Sequence, residues 1–310
     1  MSKQKWPAVL IVDHSMQPPG GGHAVAAWCI QSFCNEMDFG RTGIQYVHYP
    51  WLTFLRPDNE HRWFHLKVLL SIYYKLTQSI SGFSKVRVAK NITLCNSQFI
   101  ADMVDSVYQN QPEVLHPPAL GKYKKIKWID KQYRFISISR FSPEKRLIEQ
   151  VNILRKVRER GYPVKLEIIG SRDHPDVFEN LMVHVRDLSE WVKVHVDLSR
   201  EDLDQLLSQS RFGLHGMHFE HFGMVVAEML RAGCIPFVHN SGGQIEIVGN
   251  DDLLCYNNDD DAVNKICSLL SDDQKQTEIF ESLKKRYDRY SPESFSNGIK
   301  QHVAEFLEKR

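Results

Sequence analysis

The chain has 310 residues, enough for two domains of roughly 100–200 residues, and either size buries a core. Its 39 Lys and Arg nearly cancel its 38 Asp and Glu, for a formal net charge of +1, so no global field draws a polyanion and no nucleic-acid partner is expected. The six cysteines (Cys29, Cys34, Cys95, Cys234, Cys255 and Cys267) form no Cys-x-x-Cys pair and have no histidine beside them at metal-ligand spacing, so they read as reduced thiols of a cytoplasmic protein. No run reaches ~18 uninterrupted apolar residues, so no membrane span is expected.

In chain order, Ala8–Asp13 reads as a strand rather than a signal peptide. It opens into Pro18-Pro-Gly-Gly-Gly22 and a helix from His23 to Phe33, the start of a βαβ layout. Ile44–His48 reads as a strand stopped by Pro50, Trp63–Ile80 as an aromatic-rich helix and Asn91–Cys95 as a strand. Ser97 is the expected N-cap of a helix over Gln98–Tyr108. The double proline Pro117-Pro118 suits an interdomain link.

The second half alternates more regularly. Strands are expected at Phe135–Ser139, Val164–Gly170, Val192–Val196, Arg211–Gly216 and Ile235–His239. Helices are expected at Glu144–Arg160, Val177–Leu188, Leu203–Ser210, Gly223–Arg231, Asp260–Leu270, Asp273–Tyr287 and Pro292–Lys309. Such alternation predicts an α/β fold with parallel sheets covered by helices on both faces, built twice.

Chemistry concentrates in strand-to-helix turns, where open parallel sheets hold ligands. In Phe219-Glu-His-Phe-Gly-Met-Val-Val-Ala-Glu228, Glu220 and Glu228 bracket a turn through Phe222, Gly223 and Met224. The following helix start offers free N–H groups and a positive dipole end to a diphosphate. Phe222, Val225, Val226, Met229 and Leu230 make the apolar stripe of that helix, and Glu228 falls away from it. There it could accept ribose hydroxyls, each charge-assisted bond being worth roughly 1.5–3 kcal/mol. The plainer reading is two glutamates complementing a helix dipole. Arg140 and Lys145 lie in another such turn, opened by Pro143, and two cations beside a helix start can stabilise a leaving diphosphate. Gly242 and Gly243, after strand Ile235–His239, let backbone approach a ligand closely, with Glu246 in the next helix. Gly21 and Gly22 could do likewise for a phosphate or sugar, or form only a structural turn.

Ser139-Arg-Phe-Ser-Pro-Glu-Lys145, Glu220-x7-Glu228 and His239-Asn-Ser-Gly-Gly243 together resemble the retaining glycosyltransferases of family 4, over roughly residues 90–310. Within it, Glu220-His-Phe-Gly223 and His239-Asn-Ser-Gly-Gly243 look most like mannosyltransferases that extend lipid-linked oligosaccharides. The resemblance implies the two-Rossmann GT-B fold. The expected parts are an acceptor-side domain over 1–118, a nucleotide-sugar domain over 119–290, and a final helix over 291–310 packing back on the first. It implies that Arg140 and Lys145 hold the donor diphosphate and Glu228 the ribose, while Glu220 and the Phe222–Met224 backbone hold the sugar and phosphates. It also implies a metal-independent transfer with retained anomeric configuration. Gln45-Tyr-Val-His-Tyr-Pro50 resembles the segment whose histidine lies against the transferred sugar, which puts His48 at the reaction centre; its other reading is a buried, satisfied strand-end histidine.

No cofactor is expected beyond the donor, GDP-mannose first and a UDP-hexose second, with Val192–Ser199 and Gly170–Asp173 shaping the base pocket. The acceptor is a glycan, a lipid-linked sugar or a small molecule. Relatives place further elements between the helix ending near Cys34 and the strand carrying His48, so the N-terminal domain is expected to be shortened. The alternative function is therefore a non-catalytic nucleotide-sugar-binding or partner subunit with a truncated acceptor domain. His61 through Ala101 contains no Asp or Glu but several Lys and Arg among aromatics, so residues 61–90 could touch an anionic membrane peripherally, at its inner face. A dinucleotide oxidoreductase is set aside, because no glycine fingerprint stands with an acidic residue ~20 positions on.

Overall fold

The computed structural model describes residues 43–50, Ile72, Lys75, Leu76, Ile80 and residues 84–308. The expected strand at 8–13, Gly21, Gly22 and the helix at 23–33 lie outside these residues. So does most of the helix expected at 63–80, of which Ile72, Lys75, Leu76 and Ile80 are helical. The chain divides into one unit of residues 1–117 with 296–310 and a second of residues 118–295.

In the first unit, β1 (Ile44–Val47), β2 (Ile92–Cys95) and β3 (Glu113–Val114) form a parallel sheet in sequence order. Period-2 alternation sends Val47 and Cys95 to an apolar face with Val88, of the short helix α1 (Lys85–Val88), and Ile100, Ala101 and Val104 of α2 (Gln98–Tyr108). One step back along the same face lies a buried polar pair, Gln45 of β1 opposite Thr93 of β2. Gln45 donates to Thr93 Oγ1 at 2.8 Å and Asn110 donates to the same hydroxyl at 2.7 Å, so both amides are partnered there. The expected cap is present: Ser97 accepts from the Ile100 N–H.

In the second unit six strands run parallel in the order β6-β5-β4-β7-β8-β9. They are β4 (Gln132–Ile138), β5 (Lys165–Gly170), β6 (Val192–Val196), β7 (Ser210–His215), β8 (Ile235–His239) and β9 (Cys255–Tyr256). The helices are α3 (Leu147–Glu159), α4 (Pro175–His184), α5 (Arg200–Gln209), α6 (Met224–Arg231), α7 (Gln244–Ile247), α8 (Asp259–Leu270) and α9 (Asp273–Lys284), followed by α10 (Pro292–Glu308), most of which belongs to the first unit. Central strands read as near-continuous apolar runs because helices cover both faces. Phe135 of β4 stacks on Phe212 of β7 at 5.0 Å between ring centroids, and both are fully buried. The chain fills one side of the sheet through β4, β5 and β6, then crosses to β7. The loops after β4 and β7 therefore leave neighbouring strands at the reversal of strand order, where such sheets bind ligands.

Several expected boundaries shift for local reasons. The helix expected at Glu144–Arg160 is broken at its start: Pro143–Lys145 is a 3-10 turn, Arg146 turns left-handed at φ 51°, and α3 begins only at Leu147. Gln150, buried on the apolar stripe of α3, donates to the Lys145 carbonyl at 2.8 Å and thereby holds that break open. The helix α5 begins three residues before the expected Leu203 because Ser199 caps it, accepting from the Asp202 N–H. The helix expected to reach Tyr287 ends at Lys284 and gives way to a 3-10 turn over Tyr287–Tyr290.

One buried cation closes the far end of this sheet. Lys131 donates to the carbonyls of Ser208, Ser210 and Ala232 at 2.6, 3.2 and 2.8 Å, tying the ends of α5 and α6 to the start of β7. Burial lowers its ammonium pKa, yet the three carbonyls take its hydrogens. Lys131→Met keeps the length and strands three acceptors, so the second unit should lose about 3 kcal/mol. Thermal unfolding should show a Tm lower by roughly 6–12 °C, with the far-ultraviolet circular dichroism at low temperature unchanged.

Candidate functional site

The site is assembled from the loops after β4, β7 and β8. The β7 loop returns beside the β8 loop through an isolated parallel bridge between Glu220 and Gly242, closed by the Gly243 N–H donating to the Glu220 carbonyl at 2.8 Å. A Cβ at Gly242 would lie 2.2 Å from that carbonyl oxygen, and its φ is +74°, so both space and conformation demand glycine. The Phe219 N–H donates to Ser241 Oγ at 2.9 Å, and Phe219 itself is left-handed at φ 51°, with its ring exposed. Gln244, fully buried at the first position of α7, donates to the carbonyls of Met217, His239 and Ser241 at 2.8, 2.9 and 3.2 Å. Both loops are thus stitched along their backbones.

The carboxylate of Glu220 receives Lys145 Nζ at 3.0 Å and His215 Nε2 at 3.3 Å, both on Oε2. Lys145 also reaches Met217 Sδ at 2.8 Å. Burial works against the Glu220 charge, but the Lys145 ammonium, then the His215 hydrogen bond, overcome it and hold the carboxyl well below its usual range. His215 is buried, and burial lowers its pKa, so the imidazole donates to Glu220 as a neutral ring at pH 7. The left-handed turn at Arg146 separates Lys145 from α3 and so allows this pairing.

Arg140 stands apart from that pair. It bridges Asp173 at 2.9 Å and Glu144 at 3.5 Å and is half-exposed. Phe222 is buried in the core. Gly223, at φ +101°, turns the chain into α6, whose first residue is Met224. Its backbone N–H groups at this start have the polarity an anion needs. Glu228, expected to point away from the apolar stripe, does so, but Arg200 of α5 covers it with Nη1 2.7 Å from Oε1. His218 stacks on His239 at 3.6 Å between centroids and touches the guanidinium of Arg146.

His48 is in the other unit, at the carboxyl end of β1. Its Nδ1 and carbonyl oxygen both face Asn96 Nδ2, at 3.3 and 3.2 Å, which leaves the proton on Nε2. That nitrogen is buried with no partner among the described residues. Burial lowers the pKa to about 4, so the ring is neutral at pH 7. Half of the plainer reading therefore holds: the ring is half-buried, and among the described residues only one of its nitrogens is satisfied.

Three residues that organise the site were not found from sequence. Gln150 and Gln244 are polar residues on otherwise apolar helix faces, and that interruption was the available signal. Arg200 follows the cap Ser199, where a cation opposes the helix dipole. Among the described residues no group of three or more His, Cys, Asp or Glu is placed to hold a metal ion.

Two α/β units with parallel sheets, and a loop site at the strand-order reversal that faces a helix start, define a GT-B glycosyltransferase fold. The chain belongs to the family "Glycosyl transferases group 1", whose model matches residues 122–286. It is similar to the GDP-Man:Man(3)GlcNAc(2)-PP-Dol alpha-1,2-mannosyltransferases of Dictyostelium discoideum and Homo sapiens. The first is 26% identical over 260 residues, covering 76% of this chain and 50% of the relative, and the second 28% over 249 residues, covering 72% and 50%. The chain thus spans about half the length of these curated relatives. Among solved structures, a glycosyltransferase from Rickettsia africae ESF-5 superposes with a TM-score of 0.63 at 16% identity, covering 94% of this chain and 95% of that one. Sucrose-phosphate synthase from Thermosynechococcus elongatus gives 0.66 at 12% identity, covering 93% and 77%.

Gly242→Ala tests the stitching. The added methyl forces the β7 and β8 loops apart, so the Tm of the second unit should fall by several degrees in a thermal melt. The buried sheet should survive, with its far-ultraviolet circular dichroism unchanged.

Proposed function

We propose that this chain is a retaining, metal-independent mannosyltransferase of the family 4 type, which moves mannose from GDP-mannose to a lipid-linked or other glycan acceptor. The observation that carries the reading is the Lys145–Glu220 pair, 3.0 Å apart, at the reversal of strand order and beside the start of α6. A cation there stabilises a leaving diphosphate, and an ionised carboxylate beside it accepts hydroxyls of the sugar. The names of the curated relatives, GDP-Man-dependent mannosyltransferases acting on a dolichol-linked oligosaccharide, support the donor and the acceptor class.

In this reading the Phe222–Met224 backbone, Gly242 and Gly243 line the phosphates and sugar, Arg140 and Lys145 neutralise the diphosphate, and Glu228 takes the ribose. Gly21 and Gly22 are also assigned to the donor. The bond from mannose C1 to the phosphate oxygen breaks while the acceptor oxygen bonds to C1 on the same face. The acceptor's hydroxyl proton passes to the departing phosphate. His48, neutral and with an Nε2 that has no partner among the described residues, is assigned to the transferred sugar. The first unit, with the final helix, takes the acceptor, and the second takes the donor.

Slow hydrolysis of GDP-mannose by the purified protein, followed by proton NMR, tests donor and stereochemistry together. Mannose should appear first as the α-anomer, and Lys145→Ala or Arg140→Ala should cut turnover at least about 100-fold, equivalent to ~2.7 kcal/mol. Release of β-mannose would overturn retention, and turnover lost to a chelator would overturn metal independence. Nucleotide binding without sugar release in the presence of acceptor lipids would favour the non-catalytic subunit.

The location proposed with this function is the cytoplasmic face of a membrane. Ile72, Leu76 and Ile80 are exposed at helical spacing beside exposed Lys75, in a stretch without Asp or Glu. Such a face suits an anionic bilayer. The protein should sediment with phosphatidylserine vesicles and not with phosphatidylcholine vesicles, and both high salt and Ile80→Asp should release it.

A further inference from the structure

Arg200 is an unusual first residue for a helix. A cation in the first turn of α5 opposes the helix dipole, and an arginine side chain gives up rotamer freedom when it is fixed. Here it is fixed by three groups. Nη1 donates to Glu228 Oε1 at 2.7 Å, Nη2 lies 2.8 Å from Asp204 Oδ1, and Nη2 donates to the Tyr123 hydroxyl at 3.2 Å. The carboxylates of Asp204 and Glu228 are nearly buried, at 9% and 12% side-chain exposure, whereas the guanidinium is 46% exposed. Asp204 is held in turn by the Lys122 N–H, which donates to its Oδ2 at 2.7 Å. The cluster therefore has fixed walls and one solvent-facing cation.

Only Oε1 of Glu228 is engaged by a described residue. We propose that Arg200 is the positioning residue of the ribose subsite: its guanidinium fixes Glu228 through Oε1 and leaves Oε2 to accept a ribose hydroxyl. This inference rests on the nucleotide-sugar reading above and deepens it.

The charges facing Glu228 are Arg200 and Asp204 of α5, with Tyr123 beside them and Arg231 acting on that phenol. Burial raises the Glu228 carboxyl above its usual range, and Arg200 opposes that rise while Asp204 adds to it. Removing Arg200 leaves burial and Asp204 acting together. The carboxyl then takes up a proton at higher pH, and affinity for ribose falls as pH falls.

The test is calorimetric binding of GDP, UDP and their 2′-deoxy forms to the full chain between pH 8 and 5.5, for wild type, Arg200→Gln, Arg200→Lys and Glu228→Gln. Wild type should prefer ribose over deoxyribose several-fold with little change across this window. Arg200→Gln should lose that preference, and its affinity should drop about tenfold further on going from pH 8 to pH 5.5. Arg200→Lys should restore the flat pH profile with only part of the preference, and it decides the matter if Arg200→Gln fails to fold. A merely structural arginine would weaken ribo- and deoxyribonucleotides equally. A ribose preference kept by the Arg200 variants but lost in Glu228→Gln would overturn this proposal alone. A preference kept in Glu228→Gln would overturn the ribose assignment and the proposal with it. Absence of binding by wild type would overturn the nucleotide-sugar reading and everything resting on it.

Discussion

One backbone contact organises the second unit's chemistry: the parallel bridge that lays Glu220 along Gly242. A side chain at Gly242 would collide with the Glu220 backbone, so the contact exists only because the residue there is glycine. Once the two loops lie together, Gln244 can reach three carbonyls, from Met217 to Ser241, and Ser241 can accept from Phe219. The carboxylate of Glu220 then points at Lys145 because the β4 loop ends in a left-handed turn rather than running straight into its helix. An ion pair of this kind, with both side chains largely withdrawn from water, is ordered before any ligand arrives, which lowers the reorganisation that a charge-stabilising site requires.

The sheet and its order of elements were legible because parallel strands covered on both faces are largely apolar, as the middles of β4, β5, β7 and β8 are despite Arg134, Ser137, Glu167 and Arg211. Glu220, Lys145, Gly242 and Gly243 were legible for a related reason: strand-to-helix turns are short, so residues written close together in sequence stay at one end of the sheet. What escaped was set by contacts between segments far apart in the chain. Gln150 owes its role to the Lys145 carbonyl. Lys131 owes its burial to carbonyls more than seventy residues away. The start of the helix after β4 was misplaced because Arg146 turns left-handed, a conformation no local preference of arginine suggests.

Glu228 shows the limit of a helical wheel. The wheel places it off the apolar stripe correctly, but it cannot show that the neighbouring helix brings Arg200 onto one of its two carboxylate oxygens. His48 shows the converse: the strand-end histidine has its Nδ1 and carbonyl met by Asn96, as a histidine there often does, yet its Nε2 has no partner among the described residues.

The stitching of the β7 and β8 loops also constrains how the gene can vary. Residues 216–223 and 240–244 are separate in sequence but behave as one heritable object, since a change at Gly242 must be answered at Glu220 and a change at Gln244 is felt at Met217, His239 and Ser241 together. Single substitutions cannot explore alternatives there without passing through a broken intermediate. Arg140 is held only by the side chains of Asp173 and Glu144 on a half-exposed rim, so what constrains it is its own chemistry and not the stitching. The stitched loops are constrained twice, by their chemistry and by one another, which makes them the slowest-changing part of the second unit.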